Sequence, residues 1–336
     1  MILARTTLIF SLLISLLNAA EVRLYSERHY TADKTILAEF TEKTGIEVKV
    51  VKAGANELLA RMKAEKDAPQ ADLYLSVDAA SLERASIAGL LQKIESPDLS
   101  SRLPKGFGPK DDAWLPITMR ARVIVYAKDR VKPADAPKTY AGLANPQWRG
   151  RLLIRSSTSH YNQSLLASII ASEGKGKALT WAQGVKNNLA RPPQGGDRDQ
   201  VRAVALGQGD LAVSNSYYLG ILENSDDEKD RKARESVGVI FPNQDGRGTH
   251  VNISGAGIIK GTKNKKEALA LLDFLTSPKV QAKYQKLTSE FGVIKDLERE
   301  PLQKAWGEFK PDYQSLHELA DHQTEAVKLF DLVGWP

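Results

Sequence analysis

Apolar positions recur along this chain at two periods that take turns. Val22-Arg23-Leu24-Tyr25 alternates at period two and predicts a strand, whereas Ile36, Leu37 and Phe40 fall at helical spacing within 33–43, a segment that Gly45 closes. Residues 46–51 predict the next strand. Asn56 can cap a helix carrying Leu58, Leu59 and Met62; residues 71–77 are strand-like again, and Asp78 can cap a helix that ends at Gly89. This strand–helix order favours a largely parallel sheet with helices on both faces. The pattern restarts after Trp114, with strand candidates at 115–119, 123–127 and 152–154, helices over 162–172, 178–188 and 198–206, and a strand at 211–213.

Two such alternations in 336 residues exceed what one compact core usually holds. Residues 21–120 with 241–290 are the expected first lobe, and 121–240 with 291–336 the second. The chain returns to the first through 255–260 and a helix at 265–275. Each lobe is expected to be α/β, a mostly parallel sheet flanked by helices, and two crossings between lobes give a hinge and an interlobe cleft suited to closing around a small ligand.

Composition narrows the class of protein. Hydrophobic residues make up 42% and charged residues 26%, as in ordinary globular chains. The N-terminus runs from Met1 through the single charge of Arg5 into the apolar stretch 8–17 and closes on Ala19 and Ala20. That order predicts a secretory signal peptide, residues 1–20, cleaved near Ala20; an uncleaved anchor is the competing reading, because the site around Asn18 is not a clean Ala-x-Ala. Cysteine is absent, which excludes disulfides, zinc-thiolate sites, a thiol nucleophile and a lipidated cysteine after the signal. The mature chain is expected to float free in an exported compartment. Net charge is +6, but Lys and Arg are scattered among Asp and Glu, so a mixed solvated surface is expected and no nucleic acid.

Candidate chemistry centres on tyrosine. Tyr217-Tyr218 follows the strand at 211–213 through Asn215-Ser216, and carboxyl ends of parallel strands face the crevice where open α/β sheets bind ligands. Taken alone the pair is equally a packing motif. Tyr30, however, follows His29 beyond the first strand, and Tyr161 follows His160 beyond the strand at 152–154, so three strand ends each present tyrosine in a chain that has ten. Phenolate oxygen is a hard anionic donor, suited to hard cations, and Fe(III) is the biological cation that fits best. A free phenol ionises at about pH 10, so coordination requires a high local positive charge. Four phenolates on Fe(III) leave one excess negative charge, which a nearby arginine would offset; Arg28, Arg120 and Arg122 are candidates.

These residues resemble the ferric-iron-binding periplasmic proteins of bacterial ABC importers, and within them the subgroup that includes the cyanobacterial ferric-binding proteins. The likeness runs through Leu24-Tyr25-Ser26-Glu27-Arg28-His29-Tyr30, Thr44-Gly45-Ile46-Glu47-Val48, Ala71-Asp72-Leu73, Arg120-Ala121-Arg122-Val123, Asn162-Gln163-Ser164-Leu165, Asn215-Ser216-Tyr217-Tyr218 and Asp273-Phe274-Leu275-Thr276-Ser277-Pro278. It implies a type II-like periplasmic binding protein fold in which Tyr161, Tyr217 and Tyr218 come from one lobe and Tyr30, with His29, from the other. Closure would then complete a site for Fe(III), delivered as a monomer to an inner-membrane permease and its ATPase. His29 has two readings, a direct ligand or a hydrogen-bonding group beside the site. Arg120 matches the family's cleft arginine and is expected to balance charge without binding metal, and Asn215 to orient the tyrosine pair or simply end its strand. A better-known subfamily holds iron together with an anion. Here Tyr30 follows the histidine, Val77-Asp78 stands near the place of that subfamily's glutamate, and His160-Tyr161 fills its small turn, so the resemblance implies a site saturated by protein ligands and independent of an anion.

Enzymatic constellations are missing from the sequence. His317-Glu318-Leu319-Ala320-Asp321-His322 resembles a zinc-hydrolase helix, but its histidines stand five apart and are rotated away from each other. No nucleophile elbow or Walker loop occurs, Gly255-Ala256-Gly257 is too short for a dinucleotide fingerprint, and helix capping accounts for Asp197-Arg198-Asp199. The expectation is therefore a binding protein and not an enzyme; the alternative is the same fold holding a small organic cation or oxyanion.

Overall fold

The structure, a computed structural model, describes residues 20–104, 107–109, 111–313, 316 and 318–336. Residues 1–19 of the expected 1–20 export segment, and His317, lie outside the described residues.

The chain begins with β1 (Glu21–Ser26), α1 (Thr31–Thr44), β2 (Glu47–Lys52), α2 (Ala55–Ala64), β3 (Leu73–Ser76), α3 (Ala79–Ile87), β4 (Leu91–Gln92) and α4 (Pro97–Ser101). A long strand, β5 (Trp114–Ala127), leads into the second lobe: β6 (Leu152–Leu153), α5 (His160–Glu173), α6 (Lys175–Asn187), α7 (Asp197–Ala205), β7 (Leu211–Asn215), α8 (Tyr217–Glu223), α9 (Glu228–Glu235) and β8 (Val237–Ile240). Another long strand, β9 (Thr249–Ile259), returns to the first lobe for α10 (Lys265–Leu275) and α11 (Pro278–Thr288), and α12 (Pro301–Ala305), β10 (Pro311–Asp312) and α13 (Leu319–Val333) close the chain.

Among the described residues one continuous sheet runs β2-β1-β3-β9-β5-β7-β6, with β4 and β10 added on β9 and β8 on β5. The expected parallel grain is present where helices cross over, in β1–β2, β1–β3 and β6–β7. The connecting strands differ: β9 runs antiparallel to β3 and β5, and β5 antiparallel to β7 and β8, so the sheet is mixed. The reason is geometric, since β5 leaves the first lobe and β9 comes back, and two strands that span the same gap in opposite senses pair antiparallel.

Sequence periodicity divides 115–127 into two strands because Arg120 and Arg122 interrupt the apolar run. In the structure all fourteen residues of β5 are buried in one strand, and both guanidiniums are buried with polar partners. The ladder between β5 and β9 slips between Pro116 and Thr118; a proline cannot donate to a ladder, and strands tolerate it at such irregularities. Gly255 and Gly257, silent as a nucleotide motif, have a packing role. A Cβ on Gly255 would lie 2.7 Å from Leu82 and 2.8 Å from the Leu115 carbonyl, and one on Gly257 would meet Leu91 and the Ala113 carbonyl at 2.7 and 2.8 Å. Only glycine lets β9 pass between β5 and the first-lobe packing layer.

Helical positions follow the expected faces. In α1, Ile36, Leu37 and Phe40 are buried, and fully burying a side chain such as Phe40 contributes about 1.5–3 kcal/mol. Asp78 caps α3 by accepting from the Ser81 backbone N–H at 3.2 Å. The helix α13 packs on α5 and α6 of the second lobe and on α3 of the first, where Arg84 donates to Gln323 at 2.8 Å.

Candidate metal centre

The tyrosines singled out in the sequence arrive on three helix starts. Tyr30 is the residue that precedes α1 in extended conformation, Tyr161 sits in the first turn of α5, and Tyr217 and Tyr218 open α8. Sequence reasoning put the pair at a strand end; the chain in fact turns helical directly after β7, so both tyrosines sit in the first turn of α8. Helix starts carry partial positive charge, and anions are favoured there.

The four rings converge in space. Tyr161 Oη and Tyr217 Oη are 3.3 Å apart, Tyr217 and Tyr218 are tilted neighbours at 4.1 Å between centroids, and Tyr30 meets Tyr217 edge-on at 6.4 Å. Tyr30, before α1, thus faces the tyrosines of α5 and α8. His29 is exposed beside it, ring centroid 5.3 Å from that of Tyr30.

Guanidiniums surround the phenols. Arg120, Arg122 and Arg155 lie 5.8, 5.7 and 5.3 Å from the centre of the Tyr161 ring, and Arg28 lies 4.5 Å from that of Tyr30. Arg122 is neutralised by Asp197 and donates to Asn162 Oδ1 at 2.9 Å and to Asn215 Oδ1 at 3.3 Å. Asn215 in turn donates its backbone N–H to Asp197 Oδ2 at 2.7 Å, so it ties β7 to the start of α7, two residues before the tyrosine helix. Arg120 donates to the Val77 carbonyl; its Nη1 is buried without a hydrogen-bond partner among the described residues, 4.0 Å from Glu290. Arg28 pairs with Asp33 at 3.0 Å and donates to Thr118 Oγ1 at 3.0 Å.

Without a cation the phenols of Tyr30, Tyr217 and Tyr218 keep their protons. Burial pushes the Tyr217 hydroxyl well above the usual phenol range, and the neighbouring Tyr30, Tyr161 and Tyr218 push it further. Burial, then Tyr161, raises Tyr218; burial, then the Glu290 carboxylate, raises Tyr30. A group of oxygens this costly to ionise one by one becomes anionic only around a strongly charged centre, and hard oxygen donors select a hard one.

Three partners escaped sequence reasoning. Glu290, fully buried, accepts from Tyr30 Oη at 3.2 Å and from Thr118 Oγ1 at 2.7 Å. Arg155 leads into the Tyr161 turn. Neither has a local motif. Asp197, read as a capping residue, is instead 1% exposed and holds Arg122; the capping bond belongs to Asp199, which accepts from the Gly196 N–H at 2.7 Å. The one available signal was the pair of arginines in an apolar strand, which requires buried acids somewhere else in the chain.

A family model for bacterial extracellular solute-binding proteins matches residues 35–311. The chain belongs to this family of bacterial extracellular solute-binding proteins. This solute-binding protein is 42% identical over 315 residues to Iron uptake protein A1 of Synechocystis, an alignment covering 94% of this chain and 87% of that one. Among solved structures it is similar to the Trichodesmium protein IdiA (FutA) in complex with iron and citrate, with TM-score 0.89, 40% identity and coverage of 94% and 100%. It is likewise similar to the ferric binding protein of Campylobacter jejuni, with TM-score 0.86, 41% identity and coverage of 94% and 100%. The two-lobed fold is that of these solute-binding proteins.

Proposed function

We propose that this solute-binding protein captures Fe(III) between its lobes through Tyr30, Tyr161, Tyr217 and Tyr218 and delivers it to an ABC importer, without turnover. The observation that carries the reading is the meeting of Tyr161 and Tyr217 hydroxyls at 3.3 Å, with Tyr30 of the other lobe and Tyr218 against the same ring. Relatives named for iron uptake and ferric binding support it.

In this reading the second-lobe tyrosines bind first, each phenol giving its proton to water, and Tyr30 completes the set as the lobes close about β5 and β9. Arg120 offsets the negative charge of the loaded cluster, Asn215 steadies the strand that presents the pair, and His29 at the cleft mouth is a fifth ligand. Differential contacts with the metal shift the open population toward the closed one. Four phenolates leave little room for an anion, so loading requires none. The protein works as a periplasmic monomer after removal of its signal peptide, with a permease and an ATPase as partners.

The test is a visible absorption titration of the metal-free protein with chelated Fe(III), without phosphate or carbonate. A broad phenolate-to-iron band that saturates at one metal per chain is expected. If no band forms even with anions added, the ferric reading is wrong and a small organic ligand becomes the cargo to seek.

A further inference from the structure

One buried carboxylate holds the Tyr30 hydroxyl and lies within 4.0 Å of two arginines, Arg28 and the crossing strand's Arg120. Glu290 follows Ser289, whose left-handed backbone (φ 58°) ends α11. Both flanks of Glu290 are pinned. Ser289 lies against Gly220 in α8, three residues after Tyr217, and Phe291 exchanges two backbone hydrogen bonds of 2.8 Å with Met119 of β5. The segment is therefore a third link between the lobes beside β5 and β9, and its central side chain is fully buried. Glu290 accepts from Tyr30 Oη at 3.2 Å and from Thr118 Oγ1 at 2.7 Å, and lies 3.6 Å from Arg28 Nη1 and 4.0 Å from Arg120 Nη1.

Resting on the ferric reading above, we infer that Glu290 is a positioning residue that holds the Tyr30 hydroxyl in the unloaded protein and competes with bound iron for it, and so sets how readily cargo is released. A phenol that donates to Glu290 cannot at the same time give a phenolate to metal. Capture therefore exchanges one bond for the other, and an interaction present only in the unloaded state lowers affinity for the loaded one. Charge acts in the same direction. Arg28 with Asp33 and Arg120 with Glu290 balance in the unloaded site, whereas four phenolates on Fe(III) bring an extra negative charge beside the fixed carboxylate, where little water screens it. The arginines, shared with Glu290 before loading, turn part of their attraction to the phenolates afterwards. Uptake stays favourable while release stays possible.

Glu290→Gln keeps the shape and an acceptor oxygen but removes the charge. The iron-loaded wild type, Glu290→Gln and Glu290→Asp would be challenged with excess EDTA while the visible phenolate band is followed. Glu290→Gln should lose iron about 10-fold more slowly, the scale on which partners of metal ligands act, and Glu290→Asp, which restores the charge, should move back toward the wild-type rate. A merely structural role would speed loss in Glu290→Gln; a rate equal to or faster than wild type overturns the inference while the ferric reading stands. Absence of the band in the wild type would remove the ferric reading, and this inference with it. Should Glu290→Gln fail to fold, crystal structures of the wild type with and without Fe(III) decide: Tyr30 Oη should leave hydrogen-bond distance of Glu290 on loading, and a retained bond with iron in place overturns the proposal.

Discussion

Tyr161 Oη lies 3.3 Å from Tyr217 Oη, across 56 residues of chain. As phenols the two share a hydrogen bond; as phenolates at that distance they would repel unless a cation stood between them. The contact is thus compatible with an empty site and, in the proposed reading, with a loaded one in which both phenol protons give way to a metal ion.

Tyr217→Phe keeps the buried ring and removes one donor. Its iron affinity should fall by more than the roughly 10–100-fold that loss of a ligand's hydrogen-bonding partner costs, with the visible band weakened or shifted. His29→Ala, at an exposed position beside Tyr30, should lower affinity less. Competition titrations against a chelator measure both, and an unaltered band in Tyr217→Phe would remove that residue from the site.

Arg122 and Asp197 form a fully buried ion pair. Removing Arg122 leaves the buried Asp197 carboxylate with only the more distant Arg155 guanidinium, at 4.0 Å, to balance it, so Arg122→Ala should cost about 3–5 kcal/mol of stability. Urea denaturation of the unloaded protein tests this, and a cost under about 1 kcal/mol, the scale of an exposed ion pair, would contradict the burial described here.

Gly220 packs where a Cβ would approach Ser289 Oγ to 2.2 Å and its Cβ to 2.4 Å. Gly220→Ala should push α8 away from the turn after α11, destabilising the protein by about 1–3 kcal/mol and weakening iron binding through displacement of Tyr217 and Tyr218. Thermal denaturation and the chelator competition should move together; a loss of neither would mean that the turn gives way freely.

His250 is buried against Ser164 Oγ, 3.1 Å from its Nε2. Burial first, then Arg247, Arg122 and Arg120, hold its pKa well below the ordinary value. The sign follows from proton counting: below about pH 6.5 the unfolded histidine gains a proton that the folded one refuses. Stability is therefore complete above that pH and falls as pH drops through it, by up to about 1.4 kcal/mol per unit from this residue. His250→Gln should flatten the slope between about pH 6.5 and 5 relative to wild type, read by urea denaturation at each pH; parallel slopes would show that His250 already takes up its proton when folded.

What sequence alone determined here is what local chemistry encodes. Period-two and helical spacings mark β1, α1, β3 and α3 because an element's buried face is written into its own residues. The tyrosines at 30, 161, 217 and 218 stood out because phenol is a distinctive donor and each follows a strand signal. Tertiary structure alone decided how charge is held inside. Arg120 and Arg122 look like breaks in an apolar run, yet β5 continues through them because Asp197, 75 residues from Arg122, and Glu290, 170 from Arg120, supply acids within the core. A buried charge survives only beside its partner, and chain folding, with no local signature, chooses that partner. The same reason hid Glu290 beneath Tyr30.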